Sequence, residues 1–131
     1  MIHHLDLTVS DLERSLAFYD AMLDVLGYRR THDYAGSVPV WVSVDAVAKT
    51  SIGLHRASVD AAHDRRAPGL HHVAFQVASR DDVHAAHRRA LSIGAIVLDE
   101  PAEYDYAPGY YAVFFADPDG IKIEVVFEPA A

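Results

Sequence analysis

Cysteine is missing altogether from the 131 residues, which excludes disulfides, thiolate nucleophiles and thiolate metal sites. Positive charge is scarce: 11 Lys and Arg stand against 19 Asp and Glu, a formal charge of −8 with His neutral. That balance opposes the phosphate-neutralising contacts that dominate binding to nucleic acids and anionic lipid, so neither is expected as a partner. Long apolar runs are also missing. Uncharged stretches such as Ala35–Val44 and Tyr106–Ala116 fall well short of the roughly 20 residues a membrane-spanning helix needs. No basic and apolar leader precedes Ile2, where patterned sequence begins, so the expected address is the cytoplasm. Glycine and proline are modest at 7 and 6, while apolar types reach 51%, the balance of a folded domain rather than a disordered tail. Nine histidines are the one excess, and they keep metal binding and proton transfer open.

The chain repeats itself. Ile2-His3-His4-Leu5-Asp6-Leu7-Thr8-Val9 is echoed by Leu70-His71-His72-Val73-Ala74-Phe75-Gln76-Val77 at an offset of 68, with the two His-His pairs in register. A duplicated unit of this kind decides the architecture. Each copy runs into a helix start, Ser10-Asp11-Leu12-Glu13 and Ser79-Arg80-Asp81-Asp82, with a hydroxyl at the expected N-cap and a carboxylate three residues on. Leu12, Leu16, Tyr19, Leu23 and Leu26 are expected to form the apolar stripe of the first helix, which ends at Gly27. Val83, Ala86, Ala90, Leu91 and Ile93 are expected to do so in the second, which ends at Gly94. Strands are expected at Tyr28–His32, Val38–Val44 and Thr50–His55, and again at Ala95–Asp99, Tyr111–Phe115 and Ile121–Phe127. Asp117-Pro118-Asp119-Gly120 should turn the last two into a hairpin.

The expected fold class is therefore α+β, a single domain over residues 1–131. Two β-α-β-β-β modules, at 1–55 and 70–131, are joined by a polar linker at 56–69. A module of this size with one helix cannot cover four strands alone, so the modules must pair, within one chain or between two. The expected product is a curved eight-stranded mixed sheet, a cup with helices on its outer face.

Strand alternation assigns the faces. Leu5, Leu7 and Val9 suit the helix side, which leaves His4, Asp6 and Thr8 opposite. Val73, Phe75 and Val77 likewise oppose His72, Ala74 and Gln76, and Ile121, Ile123 and Val125 oppose Lys122, Glu124 and Val126. His4, His72 and Glu124 are thus expected to share the concave side. Two imidazoles and a carboxylate suit a divalent first-row metal with open positions for water or substrate. His3 and His71 have the other parity and are read as structural. His84 and His87 are read as part of a solvated helix face, and His32 and His63, in or beside loops, carry no argument.

The residues resemble the vicinal oxygen chelate superfamily, which includes glyoxalase I, extradiol dioxygenases, fosfomycin-resistance transferases and bleomycin-resistance proteins. The resemblance lies in His4-Leu5-Asp6-Leu7-Thr8-Val9-Ser10-Asp11-Leu12-Glu13-Arg14-Ser15 with Phe18-Tyr19, in His72-Val73-Ala74-Phe75, and in Phe115-Ala116-Asp117-Pro118-Asp119-Gly120 leading to Ile123-Glu124. It implies paired modules around a divalent ion (Fe, Mn, Zn or Ni), with His4, His72 and Glu124 as ligands, and a homodimer. Where glyoxalase I has a fourth ligand, the position equivalent to Glu124 is Gly53 (124 − 53 = 71), which offers none. His55, two residues on, has the parity to replace it.

The expected function is that of a metal-dependent enzyme. It would chelate adjacent oxygens of a small substrate and stabilise an oxyanion, in the manner of a glyoxalase- or dioxygenase-type lyase, isomerase or oxygenase. Asp6, His55 and Gln76 are the candidate acid/base groups, and Trp41, Tyr104, Tyr106, Tyr110, Tyr111 and Phe114 the candidate pocket wall. The alternative is a binding protein of the bleomycin-resistance kind, which holds a flat or cationic ligand among aromatic rings without chemistry.

Overall fold

The computed structural model describes residues 1–31, 33–44 and 48–131. Ten elements follow in the order β1 (His4–Val9), α1 (Leu12–Val25), β2 (Tyr28–Arg30), β3 (Val40–Ser43), β4 (Ser51–Arg56), β5 (His72–Gln76), α2 (Arg80–Ser92), β6 (Ile96–Glu103), β7 (Tyr111–Ala116) and β8 (Lys122–Phe127). They form two β-α-β-β-β modules, each with one four-stranded mixed sheet, ordered β1-β4-β3-β2 and β5-β8-β7-β6. The chain divides into two compact units, Met1–Ala61 and Ala62–Ala131, so the break falls inside the expected linker. His32, the expected end of the second strand, lies outside the described residues.

In the first unit β1 runs parallel to β4, with Asp6 opposite Gly53 and Thr8 opposite His55. Leu7, Val9, Ile52 and Leu54 are buried on the face that packs under α1. The N-cap of α1 is Asp11 rather than Ser10: its side chain accepts from the Arg14 amide at 3.1 Å, while the Ser10 hydroxyl accepts from the Arg14 guanidinium. The buried stripe is Ser15, Phe18, Tyr19, Met22 and Leu23; it keeps the expected Tyr19 and Leu23 and leaves Leu12, Leu16 and Leu26 half-buried at its margin. Phe18 and Met22 bury more apolar surface than Leu12 and Leu16, and they decide which side faces the sheet.

The second unit repeats the plan. Ser79 caps α2 by accepting from the Asp82 amide at 3.1 Å, and Val83, Ala86 and Ala90 are its buried residues. Small side chains let the helix lie close to the sheet. Leu91 and Ile93, expected in this stripe, are exposed. Gly27 and Gly94 follow the two helices at φ +82° and +73°, the left-handed C′ position that glycine fills without strain. β6 continues past Pro101 to Glu103, with register shifts on either side of Asp99. It is an edge strand, where a residue without an N–H is tolerated.

The β7–β8 turn is fixed by one buried side chain. Asp117 Oδ1 accepts from the amides of Asp119 and Ile121 at 2.9 and 2.8 Å, and the backbone closes through Asp117 N–H to Ile121 O and Gly120 N–H to Asp117 O, both 2.9 Å. That turn sets the register in which Phe114 stands opposite Glu124.

Candidate functional site

The face of the second sheet opposite α2 collects the polar groups. Register places His72 beside Lys122, Ala74 beside Glu124 and Gln76 beside Val126. Phe114 and Ala112 pair with Glu124 and Val126 across β7. Glu124 is buried among these neighbours, an unusual place for a carboxylate unless it is paired. Its Oε2 lies 3.1 Å from His72 Nε2, and its Oε1 accepts the Tyr110 hydroxyl.

Aromatic rings border this carboxylate. Tyr104 stacks on Tyr106 at 5.4 Å between centroids and meets Phe114 edge-on at 5.5 Å. Tyr106 meets Tyr110 edge-on at 5.2 Å, and the His72 ring lies 6.4 Å from Phe114. Lys122 Nζ sits 4.6 Å from the Phe114 ring centre. The loop is closed by the Tyr104 amide donating to the Tyr110 carbonyl at 3.0 Å. Tyr110 is held well above the ordinary phenol value, by burial first and then by its hydrogen bond to Glu124. Tyr104 is raised too, by burial and then by the charge of Asp99, with smaller contributions from Tyr106 and Glu124.

His72 has a second neighbour. Its Nδ1 lies 2.7 Å from His71 Nδ1, and in the first unit His4 Nδ1 lies 2.9 Å from His3 Nδ1. With Nε2–H given to Glu124, His72 Nδ1 accepts from His71. With Nε2 given to a cation, the Nδ1 proton would instead point to His71, which is how metal-bound imidazoles are held by a second partner. His71 is lowered from the ordinary imidazole value, by desolvation first and then by His72, Lys122, Arg65 and Arg66. His3 and His71 are therefore partners of the candidate ligands rather than filler. The sequence signal for them is the duplicated His-His pair.

An imidazole nitrogen and a carboxylate oxygen are donor types that a divalent cation accepts. Two ligand atoms each about 2.1 Å from such an ion and at right angles around it stand about 3.0 Å apart, and His72 Nε2 and Glu124 Oε2 are separated by 3.1 Å. Within either unit, no three His, Asp or Glu side chains among the described residues gather as a metal site.

On the face of the first sheet opposite α1, Asp6 Oδ2 lies 2.7 Å from His55 Nε2, both side chains 43% exposed. His4 is exposed on the same strand. Gly53 lies beneath Asp6: a Cβ there would stand 2.6 Å from Asp6 Oδ1.

Two expected pocket residues take other places. Trp41 pairs with Ile52 and Arg30 on the α1 side of its sheet. It is 1% exposed, lies 6.4 Å from the Tyr19 ring and donates Nε1–H to Asp20 at 2.9 Å. It borders an open groove of about 610 Å³ with Asp20, Asp24 and Arg30, away from His55. Tyr111 faces α2, where its hydroxyl lies 2.9 Å from His84 Nε2 and Arg80 covers its ring. Strand alternation accounts for both: each neighbours in sequence a residue of the face opposite the helix, and so points the other way. His84, expected on a solvated face, is partnered by Tyr111.

Residues 1–125 match the family profile of the Glyoxalase/Bleomycin resistance protein/Dioxygenase superfamily. The chain belongs to that superfamily. Among its curated relatives, the uncharacterized protein YqjT of Bacillus subtilis is 31% identical over 126 residues, 95% of this chain and 97% of that protein. The 2-epi-5-epi-valiolone epimerase of an Actinomyces species is 30% identical over 151 aligned positions, covering 98% of this chain and 80% of the epimerase. The crystal structure of a candidate glyoxalase from Bacillus halodurans superposes with a TM-score of 0.81 at 30% identity, covering 98% of this chain and 96% of that one. In this superfamily member, no helix among the described residues is long and apolar enough to cross a membrane.

Proposed function

We propose that this chain is a metal-dependent epimerase or isomerase of a small oxygenated carbonyl compound. His72 and Glu124 of the second unit would hold the ion. The observation that carries the reading is Glu124, a buried carboxylate whose oxygens meet an imidazole and a phenol and, among the described residues, no lysine or arginine. An imidazole and an acid side by side are donor types that a divalent cation accepts. A relative at 30% identity carries the name of an epimerase, which favours proton transfer at a carbon stereocentre over ring cleavage.

A bound divalent ion would supply Lewis-acid polarisation of adjacent substrate oxygens. The chain's own groups do the rest. Phe114, opposite Glu124, packs with Tyr104 and Tyr110 and borders the buried carboxylate with ring surface. Gln76, exposed on β5, is placed to hydrogen-bond a substrate hydroxyl. Tyr110, a phenol protonated at neutral pH, donates its hydroxyl to Glu124 Oε1. A homodimer in the cytoplasm is part of the same proposal, and its mass in solution is the check on the first of these.

Metal analysis of protein purified without chelator tests the reading, beside His72→Ala and Glu124→Gln. About one Mn, Fe, Zn or Ni per chain, lost in both variants while the circular dichroism spectrum is kept, is the expected result. Equal metal content in wild type and both variants overturns it. The stacked Tyr104–Tyr106 pair beside Phe114 favours a second reading, a non-catalytic binder of flat ligands. Metal-free protein that still takes up a planar aromatic cation, by quenching of tyrosine fluorescence, would establish that one.

A further inference from the structure

The two units place their carboxylates on different strands of the same parallel pair. In the second unit Ala74 on β5 stands opposite Glu124 on β8. At the matching point of the first unit, Asp6 on β1 stands opposite Gly53 on β4. Small residue and acid have changed places across the pair.

Gly53 has no positive φ, so its backbone does not require glycine. What requires it is space, because an added Cβ would stand 2.6 Å from Asp6 Oδ1 and 3.0 Å from Asp6 Cγ. The missing side chain at 53 is the room in which the Asp6 carboxylate lies. From there its other oxygen reaches His55 Nε2 at 2.7 Å, two residues further along β4 and on the same face.

We propose that His55 is the proton carrier of the first unit and that Asp6, seated over Gly53, is the residue that positions it. A carboxylate accepts only, so neutral His55 must give it Nε2–H. That fixes the tautomer and leaves the Nδ1 lone pair as the basic site. Both side chains are 43% exposed, within reach of a dissolved substrate. The step balances without an added reagent. The bond from the carbon beside a carbonyl to its hydrogen breaks, and the proton goes to His55 Nδ1. The electron pair passes into the carbonyl as an enolate; water gives a proton to the opposite face of that carbon, which inverts it, and the hydroxide left behind takes the proton from His55 Nδ1. Asp6 stabilises the imidazolium that forms, as a buried acid does for the histidine of a hydrolase triad. The proposal rests on the carbonyl-substrate reading given above and adds the group that moves the proton.

Three variants test it: His55→Gln, Asp6→Asn and Gly53→Ala. Gly53→Ala crowds only the far end of the Asp6 side chain and should fold; Asp6→Asn leaves the backbone and volume alone. The first readout is the His55 tautomer by long-range ¹⁵N–¹H NMR, expected as Nε2–H in wild type and as mixed or Nδ1–H in Asp6→Asn and Gly53→Ala. The second is exchange of the carbon-bound protons of dihydroxyacetone with D2O in the presence of Mn²⁺, expected to slow at least tenfold in all three. Mn²⁺ affinity, followed by calorimetry, should stay within twofold of wild type. A His55 tautomer indifferent to Asp6 and Gly53, or wild-type exchange in His55→Gln, overturns the proposal. Failure of the metal reading looks different: wild-type protein would then not bind Mn²⁺ at all.

Discussion

Glu124 divides its two oxygens between His72 Nε2, at 3.1 Å, and the hydroxyl of Tyr110. A cation arriving at this carboxylate competes with the phenol for it, and the two effects oppose one another. Tyr110→Phe removes the competitor and keeps the ring. Calorimetric titration with Mn²⁺ should show binding at least threefold tighter in this variant. Weaker binding would mean that the hydroxyl orients the carboxylate rather than occupying it.

His71 touches His72 through Nδ1 at 2.7 Å and is itself exposed, so its loss should leave the core intact. Outer partners of this kind typically contribute about 10- to 100-fold to metal affinity. His71→Ala should lower Mn²⁺ affinity in that range with an unchanged urea midpoint. A shifted midpoint at unchanged affinity would make the residue structural, in line with its strand parity.

Asp117 holds the β7–β8 turn through two amides and is 4% exposed. In Asp117→Ala those donors lose their acceptor inside the fold. A buried unsatisfied polar group costs about 1–3 kcal/mol, and urea denaturation should show a loss of that size. Because the same turn sets the register of Phe114 and Glu124, metal affinity should fall along with stability.

Tyr104 and Tyr110 both have folded pKa values above their unfolded ones, for the reasons of burial and acidic neighbours already given. A raised value means that both states are protonated below about pH 10, the ordinary phenol value. Stability from these groups is whole there. Above it the unfolded chain loses the protons first, and the contribution declines toward the folded values. Stability should therefore fall more steeply between about pH 10 and 12 in wild type than in Tyr110→Phe, with phenolate absorbance in the near ultraviolet as the direct monitor.

Much of this arrangement is legible in the amino-acid sequence. The two β-α-β-β-β modules can be read because the His-His strands, the glycines after each helix and the Asp117–Gly120 turn are local signals, each with its own steric or hydrogen-bonding cause. Facing is legible where strands are regular, as for Asp6, His55, His72 and Glu124. It is lost for Trp41 and Tyr111 when they are grouped by ring type rather than by alternation. The α1 stripe is ambiguous because leucines at three- and four-residue spacing compete with Phe18 and Met22, and only the shape of the sheet beneath decides between them. Pro101 masks the far end of β6, since sequence does not show which strand is at an edge. The contact between Tyr110 and Glu124, fourteen residues apart, depends on how a Pro-Gly loop folds back over its own sheet, and no periodicity reports that.

The shared strand order has a consequence for redesign. Alanine at 6 with glutamate at 53 would copy into the first half a pair that the second half already accommodates on the same scaffold. The double replacement Asp6→Ala with Gly53→Glu would thus trade an imidazole-based proton shuttle for an additional oxygen donor. Duplicated halves of this kind can diverge in chemistry through one pair of facing positions while their backbones stay alike.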